Sequence, residues 1–501
     1  MDDGRDLALG ERSLRAHTAR GTIVNGAFLV GVNSLGLIRG FLVAGFLTAA
    51  DYGVWGIVVI AFGTLSWLKE VGVSEKYVQQ DEDDQELAFQ RAFTVELVAN
   101  ALFVVAILVA VPIAVAVYGQ HEIVWPALAL CLVVPAYVLQ TPVWIFYRRM
   151  DFYRQRMLQA VDPIVSFVVT VALAAAGAGY WAFLAGMLAG GWCNALIVWR
   201  ASPYKLRWRW HAPTVRSYGS FSWPLFVMGA SAIVVAQGTI ITASHELDLA
   251  GVGAITLATT IALYVDRVDE VVTQTLYPAI CAVADRADLL FETFVKSNRL
   301  ALMWGVPFGV GVALFARDLV HFGIGERWAF AIDLIEWSAL AATLHHIGFN
   351  WHAFFRARGE TRPLAVAALV TVAAFAVAPI PLLVSHGLDG YGLGLVIVAA
   401  VQLVVRSVYL TRLFGAFDMA RHIGRALAPS VLPTAAVLGW RALAAPHRTA
   451  WLALAEAGAY LALTAVFTLL FERDLLREVR GYLRRASEAG PPPPAAPAPV
   501  A

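Results

Sequence analysis

The sequence is short of cysteine and of charge, and both shortages exclude classes of protein. The three cysteines, Cys131, Cys193 and Cys281, all lie inside apolar runs, so the chain offers neither a disulfide framework nor the Cys/His spacing of a metal site. Charged residues make up only 15% of the 501 residues, against roughly 25% in soluble domains. The chain also has no Walker A sequence, which argues against ATP hydrolysis. We therefore expect no metal and no cofactor.

Long apolar runs take the place of charge. Apolar residues make up 59% of the chain and its mean hydropathy is +0.68, as in integral membrane proteins. A spanning helix needs roughly 20 mostly apolar residues. The runs that meet this requirement are 22–47, 53–72, 93–117, 123–145, 159–177, 180–199, 219–243, 252–281, 298–316, 329–353, 364–385, 391–411, 426–445 and 450–471. The sequence therefore predicts an all-α membrane protein with 14 transmembrane helices.

The distribution of Lys and Arg orients the predicted helices, because cytoplasmic loops carry an excess of positive charge. If the N-terminus is cytoplasmic, the Lys and Arg that fall in outside loops are Arg317, Arg327, Arg441 and Arg448. One missed helix would reverse every later loop, so this asymmetry supports the helix count. Both termini are predicted to be cytoplasmic, and the outside loops are short.

Four short sequence patterns recur in the same order, which indicates an internal repeat. They are Asp-Tyr-Gly-Val (51–54) with Leu-Ala-Gly-Val (249–252), Tyr118-Gly119 with Phe322-Gly323, Phe146-Tyr147-Arg148 with Phe354-Phe355-Arg356, and Gly179-Tyr180 with Gly390-Tyr391. Six helices per copy is an even number, so both copies have the same orientation. Parallel repeats of this kind are typical of alternating-access transporters.

The repeat predicts two parallel-repeat six-helix bundles followed by two extra helices. In chain order we expect a cytoplasmic tail, the two bundles, helices 13 and 14, and a second cytoplasmic tail: 1–20, 21–217, 218–425, 426–471 and 472–501. The end of the last segment is rich in Pro and Ala, a composition that cannot pack a core, and is predicted to be disordered.

Three segments resemble oligosaccharide flippases of the multidrug/oligosaccharidyl-lipid/polysaccharide exporter superfamily. They are LTAADYGVWGIVVIAFGTLSWLKEVGVSEKYVQQ (47–80), FYRRMDFYRQRMLQAVDP (146–163) and FGIGERWAFAIDLIEWSAL (322–340). In that group a Tyr-Gly pair opens helix 2 and a Gly-(Glu/Asp)-(Lys/Arg)-Trp turn opens helix 10. The resemblance implies a flippase of the O-antigen, capsule or exopolysaccharide type in the bacterial inner membrane. Such a protein moves polyprenyl-diphosphate-linked oligosaccharide outward, and a polysaccharide polymerase or glycosyltransferases are the implied partners.

Two other functions fit parts of the sequence. An ion-coupled multidrug exporter of the same superfamily would share the quoted motifs, because these motifs are structural. A membrane enzyme acting on lipid-linked sugars would need a catalytic cluster, usually on a sizeable external loop, and the predicted topology offers neither. We therefore expect a transporter and not an enzyme. Nucleic-acid binding is not expected either, since the basic, aromatic segment KLRWRWH (205–211) suits the anionic lipids of the inner leaflet.

Four charges interrupt predicted helix 8, and they are Asp266, Arg267, Asp269 and Glu270. Charges within a membrane almost always face a bundle interior or a water-filled cavity. The three carboxylates share one helix face, and Arg267 can reach Glu270 on the next turn. The functional interpretation is a hydrated central cavity that binds an anionic headgroup or a coupling H⁺ or Na⁺. The structural alternative is a salt bridge between the two bundles.

Arg39, on predicted helix 1, is the second candidate for the cavity. The lipid II flippase branch of the superfamily carries cavity arginines on its first and eighth helices. The resemblance therefore implies that Arg39 and Arg267 bind the diphosphate of the substrate. A guanidinium stays charged in a low dielectric and can hold a phosphate through two hydrogen bonds. Alternatively, the long side chain of Arg39 extends to the outer lipid headgroups.

Predicted helix 10 holds further candidates for ion coupling. Glu336 and His345 lie within its apolar run, and His345 shares a helix face with His352, a spacing that suits coupling to protonation. Interhelical hydrogen bonds are the structural alternative. Other charges lie near the ends of predicted helices and are interpreted as interfacial: Glu96, Asp162, Arg406 and Glu456.

Overall fold

The computed structural model describes residues 14–69, 73–79, 82–149, 151–282, 285–358, 360, 362–415, 417–444 and 448–477. Side chains are described in these ranges except at 14–27, 29–30, 65, 67–69, 75, 79, 217–232, 265–272, 274–279, 281–282 and 444. The outer parts of both predicted tails, including the Pro/Ala-rich end, lie outside the described residues.

The first half of the chain is helical, as its apolar runs predict. Its helices are α1 (Leu14–Phe46), α2 (Ala49–Lys69), α3 (Val73–Gln79), α4 (Gln85–Tyr118), α5 (Val124–Leu130), α6 (Val134–Leu139), α7 (Val143–Arg148), α8 (Phe152–Gln159), α9 (Val161–Ala175) and α10 (Trp181–Ala201). Local sequence sets several of the ends. Asp84 caps α4 by accepting a hydrogen bond from the Leu87 N–H at 2.9 Å, and Gly119 ends the same helix with a left-handed φ of 67°.

The second half has the same helical character. Its helices are α11 (Ala212–Glu246), α12 (Leu249–Ala282), α13 (Ala287–Asp318), α14 (Ile332–His346), α15 (Trp351–Ala357), α16 (Arg362–Val377), α17 (Pro379–Phe414), α18 (Met419–Ala444) and α19 (Ala450–Phe471). A π-helical turn (Leu319–Ile324) and a 3₁₀ turn (Glu326–Ala331) connect α13 to α14. The extended segment between α10 and α11 links the two halves.

The helices have the length and composition of membrane spans. Within the described residues, eight helical segments are long and apolar enough to cross a membrane, and four shorter helices are also apolar. The predicted all-helical, multi-pass membrane class is confirmed. The count of 14 spans, the internal repeat and the domain limits stay predictions.

Three predicted spans are not single helices: helices 4 and 10, and helix 11, which is divided between α16 and α17 at Ala378. Predicted helix 4 is divided into α5, α6 and α7, with Pro135 at the start of α6 and Pro142 just before α7; proline lacks the N–H that would continue a helix. Predicted helix 10 ends with α14 at His346 and resumes as α15. Between the two, Gly348 adopts a left-handed φ of 71°, which turns the chain.

The two halves contact each other through α2 and α12. Glycines let these helices approach so closely that an added methyl group would overlap the neighbouring backbone. A Cβ on Gly53 would lie 1.9 Å from the carbonyl oxygen of Leu249, and a Cβ on Gly253 would lie 1.8 Å from that of Ala49. The contact is therefore reciprocal, and it depends on the absence of a side chain on both helices.

The segment between α13 and α14 holds the second half against the end of α1. Trp328 is fully buried and donates from Nε1 to the Ala44 carbonyl at 2.9 Å, while Arg327 donates from Nη1 to the Phe46 carbonyl at 3.1 Å. Gly325, with a φ of 101°, permits the turn that positions them. A hydrophobic cluster contributed by both halves surrounds these contacts. The two halves are therefore closed against each other at the predicted outer end.

Four charged side chains attach α18 and α19 to α13. Arg441 donates to Glu456 at 2.9 Å and to Asp318 at 3.0 Å. Arg448 donates to Glu456 at 2.8 Å and to Asp318 at 3.0 Å. The side chains of Glu456 and Asp318 are only 6% and 10% exposed. Glu456 is thus a buried member of an ion-pair network, and its predicted position at the membrane interface stays a prediction.

The predicted topology has a direct test in cysteine labelling. Gln120 follows α4 on the predicted outside, and Lys205 is exposed in the linker on the predicted inside. In a variant without native cysteines, an impermeant maleimide should label Gln120→Cys in intact cells. It should label Lys205→Cys only after the inner membrane has been opened. The reverse pattern would contradict the helix count and the cytoplasmic termini.

Candidate functional site

Polar residues along α9 pack against glycines of α10. Asp162, Ser166 and Thr170 recur every fourth residue and so share one face of α9. A Cβ on Gly186 would lie 1.9 Å from Thr170 Oγ1, and a Cβ on Gly190 would lie 2.3 Å from Asp162 Oδ1. Small residues allow membrane helices to approach this closely. The packing holds a polar stripe inside the first half of the protein.

A cavity of about 470 Å³ lies beside this stripe. Its polar lining comes from α1, α6, α8 and α9 and comprises Arg39, Tyr137, Gln159, Asp162 and Ser166. Much of the remaining wall is apolar, and it includes Trp55 and Phe183, whose rings stack with centroids 4.9 Å apart. Ligand sites usually have about 300–1,000 Å³ of volume and a few polar groups in an apolar setting. The cavity has both properties.

Arg39 extends from α1 towards α9. Its Nη1 donates to Ser166 Oγ over 3.0 Å, and its side chain is partly buried. Among the described residues Arg39 forms no ion pair, although Asp162 lines the same cavity. A guanidinium has five N–H donors. Donors of Arg39 that do not bind Ser166 are therefore available to an anionic ligand.

Helix α1 also contacts α12, in the second half, through its glycines. A Cβ on Gly36 would lie 2.8 Å from the hydroxyl oxygen of Tyr264, and a Cβ on Gly40 would lie 3.9 Å from Thr260 Cγ2. The residue number rises along α1 as it falls along α12, so the two helices are antiparallel. The Arg39 cavity therefore lies close to the helix that carries the predicted charge cluster.

The backbone places Arg39 and Arg267 on these neighbouring helices at different depths. Arg39 lies three residues beyond Gly36 towards the predicted outer end, and Arg267 lies three residues beyond Tyr264 towards the inner end. At a rise of 1.5 Å per residue, the two positions are about 9 Å apart along the helix axes. The predicted site side chains on α12 lie outside the described residues: Asp266, Arg267, Asp269 and Glu270. Their roles stay predictions.

The predicted ion-coupling residues of α14 are not part of the described lining of this cavity. Glu336 lies near the start of α14, with its Oε1 3.6 Å from Arg317 Nε. His345 lies nine residues further along, where its carbonyl accepts a hydrogen bond from Arg406. Nine residues of helix correspond to about 14 Å. The structure therefore does not bring Glu336 and His345 together.

His345 and His352 do not lie on one continuous helix, so the prediction that they share a helix face is wrong. The chain turns between them at Gly348. Arg406 is 5% exposed and donates to the carbonyls of His345 and Ile347, the latter at 3.0 Å. Carbonyls at the end of a helix have no partner within that helix. Arg406 satisfies the two carbonyls and is thus a buried structural residue.

A family model described as "Polysaccharide biosynthesis protein" matches residues 42–333, more than half of the chain. The chain belongs to this family. In sequence, the chain is similar to the succinoglycan biosynthesis transport protein ExoT of Rhizobium meliloti (strain 1021), with 21% identity over 302 residues. The match covers 60% of this chain and 61% of ExoT, so the chain spans less than two thirds of the length of this curated relative.

Solved structures with a similar fold are also transporters and flippases. The lipid II flippase MurJ in an inward closed conformation has a TM-score of 0.68 and 14% identity, covering 91% of this chain and 100% of MurJ. A multidrug resistance MATE family transporter in an inward-facing conformation has a TM-score of 0.58 and 13% identity, covering 79% of this chain and 100% of the transporter. At these identities the likeness shows the fold alone. Together with the family match, it confirms the predicted resemblance to polysaccharide flippases of the superfamily.

The sequence analysis did not assign four of the polar residues of the cavity to a site: Tyr137, Gln159, Asp162 and Ser166. Asp162 was predicted to be interfacial because it lies near the start of a helix, and Ser166 was not considered. The pattern that would have indicated the last two is the fourfold spacing of Asp162, Ser166 and Thr170, matched by Gly186 and Gly190 on the next helix. A polar stripe that faces a glycine stripe predicts close interhelical packing.

Proposed function

We propose that the protein is a flippase that moves polyprenyl-diphosphate-linked oligosaccharide across the bacterial inner membrane by alternating access. The observation that carries the proposal is Arg39, whose guanidinium lines a cavity among membrane helices and, among the described residues, forms no ion pair. The family match, and the name of ExoT as a transport protein of succinoglycan biosynthesis, support a polysaccharide-related substrate. The proposed activity is transport alone, with no chemical step and hence no enzyme.

The diphosphate is the part of this substrate that most needs charge compensation. An ionised group moved from water into a low dielectric is strongly destabilised unless it is paired. Arg39 supplies a permanent positive charge and can bind a phosphate through two parallel hydrogen bonds. Ser166 holds the guanidinium in place when no ligand is bound. The polyprenyl tail stays in the bilayer while the headgroup crosses through the protein.

The charge cluster of α12 would receive the headgroup before Arg39 does. On the predicted topology Arg267 lies about 9 Å closer to the cytoplasm than Arg39 along the helix axes. The headgroup would then pass from Arg267 to Arg39 as the two halves change their orientation. The neighbouring carboxylates would pair with Arg267 in the empty protein and hold a coupling H⁺ or Na⁺: Asp266, Asp269 and Glu270. Glu336 and His345 remain further candidates for that ion, away from this path.

Arg39→Ala should reduce export roughly 10- to 150-fold, because a hydrogen bond to a charged group is worth about 1.5–3 kcal/mol. Arg39→Lys should recover part of the activity, since lysine keeps the charge but not the paired donors. Arg200→Ala is the matched control, because that side chain is exposed at the end of α10 and lies outside the described lining of the cavity. Two quantities are measured in a strain that lacks the native gene and expresses the variant. They are the amount of surface polysaccharide and the amount of lipid-linked oligosaccharide in the inner leaflet.

Two outcomes would contradict the proposal. Normal export by Arg39→Ala, at an equal amount of protein in the membrane, would remove the arginine from the transport path. A gene deletion that changes drug resistance but leaves both the surface polysaccharide and its lipid-linked precursor unchanged would favour the multidrug exporter. The second outcome would overturn the substrate class itself.

A further inference from the structure

A second cavity, of about 510 Å³, lies between the first turns of α13 and α18, away from Arg39. Four cationic side chains line it: Lys296 and Arg299 from α13, and Arg421 and Arg425 from α18. The lining also includes two carboxylates, Glu292 and Asp418. The cavity therefore carries a surplus of positive charge.

The carboxylates leave part of this charge uncompensated. Glu292 pairs with Lys296, one turn further along α13. Asp418 accepts a hydrogen bond from the backbone N–H of Arg421 at 3.0 Å and so caps the start of α18. Within the described part of the chain, the guanidinium groups of Arg421 and Arg425 form no ion pair. Two permanent positive charges thus lie at the cavity, and both side chains are exposed.

The third guanidinium lies deeper. Arg299 pairs with Glu472, which directly follows α19. Its Nε is buried and has no hydrogen-bond partner among the described residues. Buried N–H groups are almost always hydrogen-bonded, so an unpaired one calls for an explanation. An acceptor oxygen brought into the cavity by a ligand would supply the missing partner.

The form of the cavity limits the class of ligand. The dipole of α18 adds positive potential at its N-terminus, which favours an anion with several acceptor oxygens, such as a phosphate. The cavity also has an apolar side, formed by Phe291, Val295 and Phe417. On the predicted topology, the starts of α13 and α18 lie at the inner leaflet. A ligand here would therefore meet positive charge on one side and lipid chains on the other.

We propose that this cavity binds the phosphate headgroup of an anionic phospholipid of the inner leaflet. Basic pockets between membrane helices on the cytoplasmic side bind anionic headgroups in this way. The phosphate contacts Arg421 and Arg425 of α18 and Arg299 of α13, and the acyl chains lie along Phe291 and Val295. Because the headgroup bridges α13 and α18, its binding stabilises the attachment of α18 and α19 to the second half. This site is separate from the transport path and serves stability.

The experiment compares thermal unfolding in two kinds of nanodisc. One contains phosphatidylcholine alone and the other contains phosphatidylcholine mixed with phosphatidylglycerol. The midpoint for the unchanged protein should rise by several degrees in the mixture, because a ligand that binds the folded state stabilises it. The double variant Arg421→Gln/Arg425→Gln should lose this rise. The matched control is Arg358→Gln/Arg362→Gln, which removes two cytoplasmic-side charges that are not in the described lining, and it should keep the rise.

A third measurement distinguishes the phosphate of a lipid headgroup from free inorganic phosphate. Inorganic phosphate is titrated at constant ionic strength into the phosphatidylcholine nanodiscs. No stabilisation is expected, since free phosphate has no acyl chains to place against the apolar side. Stabilisation by inorganic phosphate equal to that by phosphatidylglycerol would overturn the lipid assignment. Absence of a lipid-dependent rise in the unchanged protein, or its persistence in Arg421→Gln/Arg425→Gln, would overturn the site.

Discussion

Gly53→Ala should lower export by about 5- to 150-fold, because the added methyl group does not fit between α2 and α12. Its Cβ would lie 1.9 Å from the carbonyl oxygen of Leu249. Overpacking of this kind costs about 1–3 kcal/mol. The overpacking destabilises the conformation in which the two halves are closed at the predicted outer end. That conformation should be depopulated about 5- to 150-fold, and a cycle that passes through it slows accordingly.

The same helix provides the control. A Cβ on Gly63 would meet no heavy atom within 4 Å, so Gly63→Ala should leave export unchanged. A second measurement follows closure itself. Ala44 is fully buried where the halves meet, and Ala44→Cys in a cysteine-free protein should react with an external maleimide faster when Gly53→Ala is present. Equal export and equal labelling of the two glycine variants would show that the contact plays no part in transport.

Glu456→Ala should lower the free energy of unfolding by about 3–5 kcal/mol, the usual effect of removing one partner from a buried ion pair. The carboxylate is 6% exposed and accepts hydrogen bonds from both Arg441 and Arg448. Without it, each guanidinium keeps only Asp318 as its carboxylate partner in the described network. The measurement is the thermal unfolding midpoint of the purified protein. Because the network joins α18 and α19 to α13, limited proteolysis should also show earlier release of the last two helices.

An exposed ion pair is the control for this variant. Arg358 Nε lies 3.1 Å from Glu360 Oε1, with side chains 37% and 46% exposed. Exposed pairs contribute less than about 1 kcal/mol, so Glu360→Ala should change the midpoint little. If both variants shifted the midpoint by the same amount, the buried network would not be what attaches α18 and α19.

The fold class was predictable because the need to satisfy backbone hydrogen bonds in a bilayer acts on each segment separately. In a bilayer each segment must satisfy its own backbone hydrogen bonds, so a long apolar run becomes a helix whatever lies around it. The prediction for helix 8, residues 252–281, accordingly agrees with α12, Leu249–Ala282. Helix 10 was predicted less well, because a glycine with positive φ does not differ in sequence from any other glycine. Only the structure identifies Gly348 as the residue at which the chain turns.

The candidate site was predictable in part. Arg39 was chosen because charge is rare in a membrane helix, and the structure places it in a cavity. Its partner Ser166 lies 127 residues further along the chain, a separation that periodicity within one helix does not connect. The distance of Asp162, Arg406 and Glu456 from a helix end predicts their depth in the membrane but not what they contact. Their burial depends on which neighbouring helix lies beside them, and that is a property of the packing.

The sequence by itself determined that this is an all-helical membrane protein and which family's motifs it carries. The length of an apolar run and the spacing of a motif are both local properties of the sequence. Tertiary structure alone decided which polar groups meet. Helices in a membrane associate through close packing of small residues and a few polar contacts. The residues that meet in such contacts are separated in the sequence: Gly53 packs beside Gly253, and Gly190 packs against Asp162. The role of each residue is therefore visible only once its partner is known. The same packing unites Arg39 with Ser166 in one cavity and keeps Glu336 away from it.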